Sequence, residues 1–148
     1  MLRDCCFQCI LVDCVIIVMD DPVVPVNELL ASKDVQLLAE IGFIALSYGF
    51  YDHARDIFDG LATIRPKQEG CVIGRSLVCI VLGEVDKAVS LLRSVPISDL
   101  VCLFLGIALV KQGKLQSARE YLELVVQSHQ ADKAFVLLAR DLLDGLSA

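Results

Sequence analysis

A short turn motif occurs three times in this chain and constrains its fold more than any other feature. Tyr48-Gly49-Phe50-Tyr51-Asp52-His53-Ala54 aligns with Leu82-Gly83-Glu84-Val85-Asp86-Lys87-Ala88 and with Gln112-Gly113-Lys114-Leu115-Gln116-Ser117-Ala118. Each reads glycine, one residue, an apolar residue, two residues, alanine. Gly49 to Gly83 is 34 residues and Gly83 to Gly113 is 30. A glycine there lets one helix end in a left-handed cap and the chain turn tightly. The apolar residue after it is expected to plug the hairpin, and the small alanine to let two helices approach. No such hairpin can bury its apolar face alone, so hairpins repeated at this period must stack.

Hydrophobic periodicity extends the same reading along the chain. Ser32 is expected to cap a first helix from Lys33 to about Tyr48, with Leu37, Leu38, Ile41, Ile44, Ala45 and Tyr48 at helical spacing. A second helix runs from Tyr51 or Asp52 to Ile64, where Arg65-Pro66 stops it. The third runs from about Gln68 to Leu82, weakened at Gly70 and Gly74 by roughly 1 kcal/mol each relative to alanine. The fourth runs from Val85 to Ser94, and the fifth from Ser98 or Asp99 to Gln112. The sixth spans Leu115 to about Ser128, and a seventh, capped by Asp132, ends at Gly145. No strand is expected outside the N-terminal segment.

Composition agrees with one aliphatic helical domain. The chain has 148 residues, 56% of them hydrophobic and only 6% aromatic, with no Trp. That length buries a real core, built here from Leu, Val, Ile and Ala. A mean hydropathy of +0.66 is high, which points to apolar surface left over for a partner. The net charge is −6, and no basic stripe exists to neutralise phosphates, which argues against nucleic-acid binding.

Residues 1–31 are set apart as an apolar extension and linker, and residues 32–148 as the helical domain. Residues 5–19 are mostly apolar, but Asp4 offsets Arg3, Asp13 interrupts the run and no small-residue cleavage site follows, unlike a signal peptide. The run is too short for a membrane-spanning helix. It reads as a packing segment, a strand or short helix covering an exposed edge, or as sequence translated from an over-early start codon. Asp20 to Asn27 carries two prolines and reads as a connector, and Asn27 can cap a short turn through Ala31.

A 34-residue helix-turn-helix period is the signature of tetratricopeptide (TPR) repeats, and the chain resembles three such hairpins plus a capping helix: an all-α solenoid. In the first repeat, starting at Val35, consensus positions 4, 7, 8, 20, 24 and 32 are Leu38, Ile41, Gly42, Ala54, Phe58 and Pro66. The third, starting at Asp99, has Leu105, Gly106, Ala118 and Leu122 in place. The second is degenerate, with Ser76 at position 8. The last helix, with Asp132, Lys133, Arg140, Asp141 and Asp144, suits a polar outer face. The TPR resemblance implies that the first helix of each repeat lines a concave groove through positions 5, 9 and 12. These are Ala39, Phe43 and Leu46, then Ile73, Leu77 and Ile80, then Leu103, Ile107 and Val110, all apolar. TPR grooves that hold a C-terminal carboxylate need Lys, Arg or Asn there. An apolar groove prefers the apolar face of an amphipathic helix. The alternative is that some of the nine pack against the chain's own N-terminal run or capping helix.

Chemistry-bearing motifs are sparse. Cys6-Phe7-Gln8-Cys9 is a lone CxxC without two further ligands in a polar setting, so no metal or cofactor is expected. The seven cysteines, an odd number, read as small hydrophobes in a reducing compartment. His53 and His129 read as solvated residues, no nucleophile motif is present, and Gly70 to Gly74 lacks the end of a phosphate loop. The chain reads as a binding protein and not an enzyme.

Residues 37–145 further resemble the small TPR-like chaperones of bacterial type III secretion that hold the needle subunit in the cytoplasm. The likeness rests on Leu37-Leu38-Ala39-Glu40-Ile41 opening the array, the shortened middle repeat, Pro96-Ile97-Ser98-Asp99-Leu100 before the third hairpin, and the short last helix with Arg140. The resemblance implies a bacterial cytoplasmic protein serving virulence. It would clamp the amphipathic C-terminal helix of a needle subunit, prevent its premature polymerisation, and work with a small co-chaperone. The cysteine-rich N-terminal run has no counterpart in that likeness. Rival readings are a translocator chaperone of the same system and a TPR-like scaffold subunit.

Overall fold

The structure, a computed structural model, describes residues 30–147. The apolar run at 5–19, its CxxC and most of the turn expected after Asn27 lie outside the described residues. Among the described residues there are seven α-helices and no strand: α1 (Ser32–Ser47), α2 (Tyr51–Ile64), α3 (Glu69–Val81), α4 (Val85–Leu92), α5 (Asp99–Lys111), α6 (Leu115–Gln127) and α7 (Lys133–Ser147). Each helix packs on the next. The odd-numbered helices also touch in sequence, α1 on α3, α3 on α5 and α5 on α7.

The three turn glycines all have positive φ, 80° at Gly49, 83° at Gly83 and 76° at Gly113, and they are the only such residues described. An L side chain is strained there, which is why the motif needs glycine. The helix starts follow their own local chemistry. Ser98 caps α5, accepting the Val101 N–H at 3.1 Å and donating to Glu69 at 2.6 Å. The Asp132 carboxylate accepts the Ala134 N–H at 2.8 Å. Ser32 is the first residue of α1 and not its cap. Ala31 occupies the cap, extended at φ −63° and ψ 152°, and its N–H donates to Asp34 at 3.2 Å. Gly145 does not end α7, which continues to Ser147; no atom crowds it and a helix tolerates glycine near its end.

The hairpin interiors repeat. Ala54, Ala88 and Ala118 are fully buried, and so are Phe58, Leu92 and Leu122 four residues on. The equivalent positions of the preceding helices carry the small residues Gly42, Ser76 and Gly106, all buried. A Cβ at Gly42 would stand 2.8 Å from the Phe58 ring, and one at Gly106 2.6 Å from Leu122. Ser76 is the exception to glycine, and its hydroxyl is satisfied by the Val72 carbonyl at 2.7 Å. Phe58 also reaches the next hairpin: its ring abuts Gly74 of α3 and meets Phe43 edge-on at 5.0 Å between centroids. The residues expected to plug the turns do so unevenly. Val85 packs on the core, whereas Tyr51 and Leu115 remain exposed.

Candidate partner-binding surface

The nine positions expected to line a groove lie on α1, α3 and α5, three helices that pack in sequence. Ile73, Ile80 and Leu103 are buried in the core. Ala39, Phe43, Leu46, Leu77, Ile107 and Val110 are half-buried, packed against that core while keeping part of their surface open. None carries a charge, and the six half-buried ones are spread over the three helices. The other three serve packing between neighbours.

The most exposed apolar face lies elsewhere. Leu37, Ile41, Ile44 and Tyr48 are 57%, 42%, 56% and 76% exposed. Their spacing of four, three and four residues puts them on one side of α1. Of the six residues at helical spacing on α1, only Leu38 and Ala45 pack on the core. Amphipathic spacing identifies an apolar side but not what covers it. The repeat itself carries the missing signal, since positions equivalent to this stripe in later hairpins meet a preceding helix.

Ion pairs tie neighbouring elements together. Arg75 donates to Asp59 at 2.7 Å, tying α3 to α2, and Arg55 donates to Glu84 at 2.8 Å. Lys87 donates to Glu84 at 3.2 Å. Its hydrogen bond and charge, with Arg55, hold the Glu84 carboxyl below the usual carboxylate range. The cleft among Arg55, Asp59, Arg75, Cys79 and Lys87 holds about 10 Å³, room for about one water and no ligand. A shallower hollow of about 280 Å³ is lined by Arg93, Ser117, Glu120, Tyr121 and Leu124. Burial raises the thiols of Cys71, Cys79 and Cys102 above their ordinary 9.0, the opposite of an activated nucleophile. Among the described residues no three His, Cys, Asp or Glu side chains converge as a metal would require, and no helix is long and apolar enough to cross a membrane. Compared with known proteins, the chain matches no family model and no curated protein.

Proposed function

We propose that this chain is a TPR-like α-solenoid acting as a cytoplasmic chaperone of bacterial type III secretion. It binds an amphipathic helix of a needle subunit along its apolar strip and keeps that subunit from polymerising, with a small co-chaperone and without catalysing a reaction. The observation that carries the reading is the uncharged strip of Ala39, Phe43, Leu46, Leu77, Ile107 and Val110, half-open on three helices packed in sequence. A strip without cations offers nothing to a free carboxylate and favours the apolar side of a helix. The family likeness supplies the identity of the client.

The scaffold reading draws on a different observation. Ile73, Ile80 and Leu103 are consumed by packing, as in an array whose inner side is filled from within. Co-expression with the small helical proteins encoded beside the gene, then size-exclusion chromatography and mass spectrometry, separates the two. A subunit of under about a hundred residues that is soluble only in the complex supports the chaperone. A chain that runs alone and captures no neighbour supports the scaffold.

A further inference from the structure

The exposed stripe on α1 has an equivalent in every other odd-numbered helix. Moving Leu37, Ile41, Ile44 and Tyr48 by the 34 residues that separate Gly49 from Gly83 gives Cys71, Arg75, Val78 and Leu82. Cys71 and Val78 are buried in one cluster with Ala54, Phe58 and Leu61 of α2, and Arg75 pairs with Asp59 of α2. Moving on by 30 gives Val101, Leu105, Ala108 and Gln112. The first three are buried in one cluster with Ala88, Val89 and Leu92 of α4, and Gln112 donates to Asp86 of α4. Moving on by 34 again gives Phe135, Ala139, Leu142 and Leu146, which pack with Leu122 and Val125 of α6. The same face is thus covered three times by the helix that precedes it, at every equivalent position but Leu82, which is 38% exposed. Only on α1, among the described residues, does nothing precede it.

We propose that residues 5–19 of this chain lie along the Leu37, Ile41, Ile44 and Tyr48 face, in the place that α2, α4 and α6 take on α3, α5 and α7. Three features of the chain select this occupant. It comes just ahead of α1 in sequence, as each covering helix comes just ahead of the helix it covers. Its fifteen residues match the 14 and 13 of α2 and α6. Its chemistry also fits. Where the face carries Arg75, the cover supplies Asp59. Where the face carries Ile41, the cover has one charged residue, Asp13, among Phe7, Ile10, Val15, Ile17 and their neighbours. The connector at 20–31, twelve residues reaching at most about 40 Å, is long enough to lay the segment in either direction along α1. This assignment needs no client and stands apart from the proposed chaperone role.

Amide hydrogen exchange by mass spectrometry on the full chain tests it, with size-exclusion light scattering to report oligomeric state. The variants are Ile10→Asp with Ile17→Asp, and separately Ile41→Asp, whose side chain is exposed in the described structure. Expected is a monomer in which both variants speed exchange over residues 33–48 by at least about tenfold while residues 101–109 stay protected. If the segment variant loses protection throughout, Ile41→Asp alone gives the answer. Unchanged exchange over 33–48 in the variants overturns the assignment. So does protection that fades on dilution of a dimer, which would make a second copy the occupant. Protection that appears only when a helical client or co-chaperone is added overturns it too.

Discussion

Adding a single methyl group at Gly74 should loosen the joint between the first two hairpins, although the same change one turn earlier should tighten the helix. In α3, alanine is favoured over glycine by about 1 kcal/mol on backbone grounds. At Gly70 that gain is free, because no atom lies within 4 Å of the position its Cβ would take. At Gly74 the Cβ would overlap the Phe58 ring, which cannot retreat because its far edge already abuts Gly42. Forcing such overlap in a packed core costs about 1–3 kcal/mol and occasionally more. Gly74→Ala should therefore lose up to about 2 kcal/mol net, and Gly70→Ala should gain about 0.5–1 kcal/mol. With a urea m-value of about 1.5 kcal/mol/M, the midpoints should move by up to roughly 1 M down and roughly 0.5 M up. Phe58→Leu in the Gly74→Ala background should recover part of the loss, a coupling that a double-mutant cycle reads directly. Equal midpoints for Gly74→Ala and Gly70→Ala would refute the insertion of Phe58 between the two glycines.

Leu77→Asp and Ile107→Asp should each weaken client binding by at least about a hundredfold while circular dichroism stays helical; a purified pull-down with unchanged affinity would remove the strip as the site. Ser98→Ala should lower stability by about 1 kcal/mol in urea titration, because it leaves the Val101 N–H without its acceptor. The buried thiols give a pH signature. Their pKa values are raised in the folded state, so their contribution is complete below the ordinary value of 9.0 and declines as pH climbs from there through the folded values. Thermal melts should hold steady between about pH 7 and 8 and fall above 9, and triple replacement of Cys71, Cys79 and Cys102 by alanine should flatten that fall.

The parts of the fold that were legible in the sequence are those set by sterics. Gly49, Gly83 and Gly113 had to be glycine because the turn needs positive φ, and Ala54 and Phe58 had to face Gly42 because two helices close together leave no other room. Helix ends were less readable. Ser32 lost the cap to Ala31 because Asp34 could reach back to the Ala31 N–H, a choice between two adequate local arrangements. The site was legible only in part. Spacing placed Ile73 and Leu103 on the same line as Leu77 and Ile107, but it does not tell how far a neighbouring helix closes over each of them. The exposure of the α1 stripe was not legible for the complementary reason: periodicity reports an apolar side, whereas burial depends on a second element.

The short α4 has a mechanical consequence. The eight residues of α4 make a rod of about 12 Å, set against the roughly 20 Å of α5. Ala88, Val89 and Leu92 of that rod are nevertheless buried in one cluster with residues of α3, α5 and α6, so a single short element joins the helices before it to those after it. A heated chain should therefore not split at α4: the two sides should lose structure together, as one cooperative unit.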